Sequence, residues 1–165
     1  MLRTVLTILE TTMIKATKYV LGFAFDNYDA VAMILKQRPK FQLGKWNGIG
    51  GHVESTDKSL QDAMSREFKE ECGQDIPAFR WRLVGTMCDE TNFIIYVLTT
   101  RVPVLSAHTT SDETVKIFTP GEQAALGGDQ YPCLANIPSL LALTQMGPGH
   151  DGVIPYFRLT YGTVA

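Results

Sequence analysis

Large apolar side chains recur at every second position through residues 18–25, where the odd-numbered positions carry Tyr, Leu, Phe and Phe. A period of two is typical of a strand with one buried face, so this segment is predicted to be a strand. The apolar run at residues 30–35 predicts a second strand, and Asp26 and Asn27 between the two indicate a turn. Residues 37–47 are mostly polar and contain Pro and Gly, which favours a loop.

A different spacing begins further along, where apolar residues recur at positions 60, 63, 64 and 68. This spacing of three to four residues predicts a helix over residues 57–72. Ser55, Thr56 and Asp57 are the candidates for its N-cap, and Gly73 is suited to end it.

The remaining patterned segments complete the architecture. Strands are predicted at residues 81–88, 92–99 and 114–119, a second helix at residues 135–145, and one more strand at residues 153–157. A mixed sheet with two main helices indicates the α/β class and an α/β/α layered domain. Residues 1–16 are expected to form an N-terminal strand or tail, and residues 17–165 a single domain.

Charge and cysteine content narrow the partners and the compartment. The net charge of −2 at pH 7 argues against the broad phosphate contacts that duplex nucleic acid requires. No apolar run approaches the ~20 residues of a membrane span, so no membrane partner is expected. Cys72, Cys88 and Cys133 form no C-x-x-C pair, which favours a reducing compartment such as the cytoplasm.

Carboxylates interrupt the apolar face of the predicted helix. Glu67 and Glu71 fall inside the stripe, one turn apart, and Glu70 lies at its edge. Neighbouring like charges repel one another, and the last turn of a helix disfavours anions. A hard divalent cation such as Mg²⁺ or Mn²⁺ would neutralise the cluster. The alternative is an ordinary amphipathic helix with a charged end.

The segment before the helix favours the metal interpretation. Residues 47–51 read N-G-I-G-G, and glycines let a backbone approach another group closely. A glycine-dense segment that leads into a carboxylate helix suits a diphosphate with its cation.

Residues 51–73 resemble the Nudix box, G-x5-E-x7-R-E-U-x-E-E-x-G-U, in which U is apolar. The matching positions are Gly51, Arg66, Glu67, Phe68, Glu70, Glu71 and Gly73. One extra residue precedes Arg66, so the first Glu of the box falls on Asp57 or Lys58, and Gln74 replaces the final apolar residue. The resemblance implies a Nudix-type α/β/α sandwich with its box at residues 51–74.

The resemblance also implies roles for individual residues. The expected Mg²⁺ site, with Mn²⁺ as a substitute, has as ligands Glu67, Glu70, Glu71 and the carbonyl of Gly51. Arg66 would orient a carboxylate. Family members differ in their general base, which is Glu67 itself or an acidic residue on a later loop. Glu113 lies on such a loop, as an extra metal ligand or base, and ordinary solvation of that loop is the alternative.

A closer resemblance covers residues 44–54, which are similar to the segment before the box in hydrolases of oxidised purine nucleoside triphosphates. It implies that Asn47 contacts a purine, with an ordinary turn residue whose side chain bonds local backbone as the alternative, and Gly50 and His52 are the candidates beside the phosphates. Those enzymes carry an acidic pair ahead of the last helix. This chain has Asn136 there instead, which leaves a base contact open but does not secure specificity for oxidised purines.

Three functions are therefore weighed. The first is Mg²⁺-dependent cleavage of a nucleoside triphosphate to the monophosphate and pyrophosphate. The second is the same chemistry on ADP-ribose, a dinucleotide or a nucleotide sugar. The third, from a different class, is a catalytically silent Nudix module that only binds a nucleotide or a partner protein. A nucleotide-type small molecule is the expected partner, and Nudix domains are often homodimers.

Overall fold

The computed structural model describes residues 16–89, 92–103, 105–146 and 156–161. Seven strands are present in these ranges and form one sheet. In chain order they are β1 Thr17–Phe25, β2 Val31–Leu35, β3 Trp46–Asn47, β4 Arg82–Asp89, β5 Phe93–Arg101, β6 Thr114–Phe118 and β7 Phe157–Tyr161.

The sheet is mixed, as the sequence predicts. Its order is β3-β2-β1-β5-β4-β7, and β6, which is not on this path, also pairs with β2. β1 runs parallel to β5, and β4 runs parallel to β7, while the remaining neighbours are antiparallel. The β2–β6 register places Leu35 opposite Thr114, so the residues that follow β2 lie beside those that precede β6.

The longest helix, α1, spans Leu60–Cys72 and begins later than the sequence predicts. Ser59 is its N-cap and accepts a hydrogen bond from the backbone N–H of Asp62. The three predicted caps, Ser55, Thr56 and Asp57, are wrong because they precede Ser59, and Asp57 accepts hydrogen bonds from Arg66 and from the N–H of Glu54 instead. The helix ends where predicted, at Gly73, which has φ 71°.

Two further helices complete the described part of the chain. The predicted second main helix is α3, Ile137–Gln145, two residues shorter than expected. A single-turn helix, α2, spans Pro120–Gln123, and the sequence analysis missed it. Its signal is the T-P-G-E stretch, because Thr119 and Glu122 form a capping box around Pro120. The predicted loop at residues 37–47 contains a 3₁₀ turn, Lys40–Gln42, and β3.

Each main helix covers one face of the sheet. Ala63, Met64 and Phe68 of α1 pack with Val20 and other residues on one face. On the opposite face, a second core packs against α3, with contributions from Phe23, Phe25, Val97, Ile137, Leu140 and Leu141. This is the predicted α/β/α sandwich with two main helices.

Some predicted segments lie outside the described residues. They include the N-terminal strand or tail up to residue 15 and most of the predicted strand at residues 153–157, of which β7 takes up only the end. No helix in the described ranges combines the length and the apolar character that crossing a bilayer requires.

Phe68 should be a main anchor of α1, because its side chain is fully buried and its ring lies 5.4 Å from that of Trp81. Phe68→Ala is expected to lower the free energy of unfolding by about 3–5 kcal/mol, measured by urea denaturation. Phe79→Ala is the matched control, since Phe79 is 82% exposed and should cost about 0.5 kcal/mol or less. Equal losses in the two variants would contradict this packing.

Candidate active site

Glu67 lies directly against the glycine segment. A Cβ atom placed on Gly51 would fall 2.6 Å from both carboxylate oxygens of Glu67. Any side chain at position 51 would therefore displace the carboxylate, and only glycine leaves room for it. Only 12% of the Glu67 side chain is exposed.

The same glycine segment is held on β1. Val20 donates its N–H to the carbonyl of Gly51, and a Cβ on Gly50 would lie 2.0 Å from the carbonyl oxygen of Val20. This close approach brings the N–H of Gly50 to Oε2 of Glu71, at 3.3 Å. Glu67 and Glu71 thus meet two consecutive residues of one backbone segment.

Arg66 connects the helix to the loop before it. Its Nη1 donates to Glu67 Oε1 at 2.8 Å and to Glu70 Oε2 at 3.2 Å. Its Nε and Nη2 donate to the two carboxylate oxygens of Asp57, at 3.1 and 2.9 Å, and Nη2 also reaches the carbonyl of His52. The arginine therefore uses all its nitrogens and fixes the orientation of Glu67.

Asp57 is the residue that the sequence analysis undervalued. Asp57 and Lys58 are the two candidates for the first acidic position of the box. Asp57 forms the ion pair with Arg66, and its side chain is 5% exposed. The hydrogen bonds from Arg66 hold the pKa of Asp57 below its usual range. The sequence does contain a signal for this role. With the extra residue placed after position 57, Asp57 aligns with the first Glu of the Nudix box.

Glu70 has a different environment from its two neighbours. Its side chain is 59% exposed and contacts Arg66. Its backbone carbonyl accepts a hydrogen bond from the Thr110 hydroxyl, and the carbonyl of Cys72 accepts one from the N–H of His108. These two donors satisfy carbonyls at the negative end of α1, the same end that carries the carboxylates.

Burial makes the two inner carboxylates costly as anions. It raises the pKa of Glu67, although the Arg66 guanidinium acts in the opposite direction. It raises the pKa of Glu71 to about 7, against the opposing effects of Lys36 and of the Gly50 N–H. Buried carboxylates of this kind gain from a nearby cation.

Glu113 lies near this group but is already engaged. Its Oε2 accepts from Nζ of Lys36 at 2.5 Å, and its Oε1 accepts from the N–H of Gln37 at 2.6 Å. The residue is 3% exposed. Lys36 Nζ also lies 3.9 Å from Oε1 of Glu71.

The predicted substrate residues do not form one cluster of contacts. Asn47 is buried, and its amide bonds Gln42 and the N–H of Gly48. The ring of His52 is exposed and packs 4.4 Å from that of Tyr19. Asn136 precedes α3 without capping it and donates instead to the Tyr161 hydroxyl at 2.9 Å.

A match to a protein-family model shows the family of this chain. The model of the NUDIX domain matches residues 17–136. The chain belongs to the Nudix family. The matched region contains all the carboxylates of the site, including Asp57 and Glu113.

Solved structures of other Nudix proteins share the fold. The NUDIX domain of Shewanella oneidensis NrtR, complexed with ADP ribose, is 17% identical with a TM-score of 0.63, covering 77% of this chain and 84% of that one. A Bacillus halodurans mutator MutT protein is 15% identical with a TM-score of 0.60, covering 87% and 88%.

A MutT structure described for Aliivibrio salmonicida and Vibrio cholerae is 19% identical with a TM-score of 0.57, covering 76% of this chain and 96% of that one. No curated protein matches the chain. At these identities the likeness shows the Nudix fold alone.

Nudix hydrolases generally use divalent metals such as Mg²⁺, and the inner residues fit one. Glu67 and Glu71 are oxygen ligands whose burial disfavours their negative charge, and the Gly51 carbonyl, which accepts one bond from Val20, keeps a second lone pair. Within the described residues, no three His, Cys, Asp or Glu side chains converge closely enough to hold a metal by themselves. A ligand set here would thus combine two side chains with backbone.

The raised pKa of Glu71 predicts a pH-dependent stability in the absence of metal. Folded Glu71 binds its proton more tightly than the unfolded chain does, so wild type should lose stability as pH rises from about 4 to 8. In EDTA at pH 8, Glu71→Gln is expected to be more stable than wild type by about 1–3 kcal/mol, measured by urea denaturation. At pH 5 the two proteins should differ much less.

Glu70→Gln makes the same chemical change on the exposed side of the helix. Its free energy of unfolding should therefore change with pH in parallel with that of wild type. Mg²⁺ at pH 8 should stabilise wild type more than Glu71→Gln. If the unfolding free energies of wild type and Glu71→Gln changed in parallel with pH, burial would not disfavour the Glu71 anion.

Proposed function

We propose that this protein is a Mg²⁺-dependent hydrolase that cleaves a nucleoside triphosphate to the monophosphate and pyrophosphate. The observation that carries the proposal is the pair of buried carboxylates, Glu67 and Glu71, facing the backbone of Gly50 and Gly51. A Nudix domain supports a pyrophosphohydrolase in general. The triphosphate substrate rests on the likeness of residues 44–54 to purine triphosphate hydrolases.

Glu67, Glu71 and the Gly51 carbonyl would hold the cation, and Glu70, the third predicted ligand, would have to turn toward them from the exposed side to take part. A divalent ion held by these groups would polarise a phosphorus–oxygen bond and would lower the pKa of a water molecule beside it. Glycine at position 50 allows the close approach to Val20 that holds this segment on β1.

Proton transfer is assigned to Glu67. Its Oε1 accepts from Arg66, and its Oε2 has no hydrogen bond among the described residues. That oxygen is therefore free to accept a proton from water. Asp57 and Arg66 hold it in place, so the base is oriented before the substrate arrives.

A second candidate is hydrolysis of ADP-ribose or a related dinucleotide or nucleotide sugar. It is favoured by the NrtR domain, whose structure contains ADP ribose. A silent binding module is disfavoured, because the carboxylates of the box are present. The inner pair, Glu67 and Glu71, is also buried. Asn47, His52 and Asn136 as substrate contacts, the homodimer and the cytoplasmic location stay predictions.

A product-resolved screen separates the two activities. Wild type with Mg²⁺ should release pyrophosphate from at least one nucleoside triphosphate, whereas release of AMP from ADP-ribose as the fastest reaction would favour the second candidate. Chromatography of equal concentrations of each substrate gives the ranking. No turnover of any substrate would contradict both hydrolase proposals.

Glu67→Gln should lower kcat by about 100-fold or more, which corresponds to a loss of roughly 3 kcal/mol of transition-state stabilisation. Steady-state pyrophosphate release measures it. Asp75→Asn is the control, because Asp75 is an exposed carboxylate paired with Lys69 beyond the end of α1. A Glu67→Gln enzyme as active as this control would remove Glu67 from the mechanism.

A further inference from the structure

The side-chain amide of Gln42 has a fixed orientation in the loop between β2 and β3. The backbone N–H of Gly48 donates to Oδ1 of Asn47 at 2.8 Å, so the other polar atom of the Asn47 amide is its NH₂ group. That NH₂ group donates to Oε1 of Gln42 at 3.2 Å. The oxygen of the Gln42 amide therefore faces Asn47, and its NH₂ group is the end that is left over.

The NH₂ group of Gln42 is the unused end of this relay. It donates to none of the residues that the structure describes, and Gln42 is only partly buried. Its neighbours in the chain, Phe41 and Leu43, are 63% and 54% exposed. A hydrogen-bond donor thus lies between two accessible apolar side chains, which together suit a planar group with an apolar face and a polar edge.

The Asn47–Gln42 pair lies on the same side of the sheet as the carboxylates of α1. Asn47 is paired with Ile34 of β2, and Ile34 belongs to the core that packs under α1. Residues paired in this way point to the same side, so the Asn47 side chain is directed there as well. Gly50, whose N–H bonds Glu71, follows Asn47 within a span of about 10 Å at most.

A nucleotide at the carboxylates can therefore reach this amide with its base, since one sugar separates the base from the first phosphate. An NH₂ donor distinguishes bases by their exocyclic group. The carbonyl oxygens of guanine, hypoxanthine, uracil and thymine accept a hydrogen bond, whereas the amino groups of adenine and cytosine at the same positions donate one. Two donors that face each other both lose a partner, which disfavours the amino bases.

We propose that Gln42 selects the base of the substrate by donating a hydrogen bond to a carbonyl oxygen on its edge, and that Asn47 is the positioning residue that orients Gln42. The favoured substrates are 6-oxopurine and 4-oxopyrimidine nucleotides. The inference rests on the proposed function, because it assumes a nucleotide whose diphosphate lies beside Glu67 and Glu71. Asn47 has a different role from the one that the resemblance implies, since both polar atoms of its amide bond other groups of the protein.

Binding of nucleoside triphosphates whose α,β-bridging oxygen is replaced by NH, measured by isothermal titration calorimetry with Mg²⁺, tests Gln42 without turnover. Two pairs of analogues differ in the exocyclic group, those of ITP and ATP and those of UTP and CTP. For wild type, the Kd of the carbonyl member should be lower by about 10-fold or more. Gln42→Leu should bind both members within about threefold of each other, and Gln42→Glu, whose carboxylate only accepts, should prefer the amino member.

Gln37→Leu is the matched control, because Gln37 is an exposed glutamine of the same loop, and it should keep the wild-type preference. The role of Gln42 would be overturned if wild type bound both members of each pair within about threefold, if it bound none of the analogues, or if Gln42→Leu kept the preference. Failure of the proposed function would be seen elsewhere, as a wild-type protein that binds the analogues with this preference but hydrolyses no nucleoside triphosphate.

Asn47→Asp tests the positioning role. The new carboxylate has no donor for Gln42, whose NH₂ group should turn toward it and leave the Gln42 oxygen facing the base. The preference should then reverse toward the amino members, whereas a merely structural loss would weaken both members equally. Asn47→Leu, which buries no charge, is the second variant and should bring the two Kd values within about threefold of each other. An unchanged preference in either variant would overturn the role of Asn47.

Discussion

The site depends on two carboxylates buried at one end of a helix, where several effects oppose their charge. Glu67 and Glu71 lose hydration, repel each other, and lie in the half of α1 where the backbone dipole is negative. The protein offsets part of this cost with Arg66, Lys36 and the N–H of Gly50. Burial still raises the pKa of Glu71 to about 7 despite them, so a further cation would stabilise the charged form of the site.

The rest of the fold supplies the geometry that keeps this arrangement in place. β1 binds the glycine segment through Val20, and the fully buried Phe68 anchors the same turn of α1 in the core. Asp57 fixes Arg66, which in turn fixes Glu67. Thr110 donates to a carbonyl at the helix end. Each contact restricts a group that would otherwise move away from an unfavourable concentration of negative charge.

The sequence was a good guide to the fold and a partial guide to the site. Periodicity located the two main helices and most strands, because each buries a continuous apolar stripe. It predicts the start of α1 too early, because Asp57 is a typical N-cap residue but here accepts hydrogen bonds from Arg66. The single-turn α2 was missed because its stability comes from a local capping box rather than from periodicity.

Contacts between distant segments account for what the sequence could not provide. The Lys36–Glu113 pair joins residues 77 positions apart, and only the β2–β6 register brings them together. In the same way, the amide of Asn136, a predicted base contact, donates to Tyr161 on β7. Motif positions give residue types, whereas the partners that determine their charge and orientation follow from the sheet.

The most direct test of the central claim is a nuclear magnetic resonance titration with Mn²⁺ of protein labelled with ¹³C at the glycine carbonyls. A cation held by Glu67, Glu71 and Gly51 should broaden the Gly51 signal at substoichiometric Mn²⁺, and the Glu67→Gln variant should lose this effect. Gly121, on the surface in α2, should be unaffected. Equal broadening of Gly51 and Gly121, or none at Gly51 when Mn²⁺ is bound, would contradict the account.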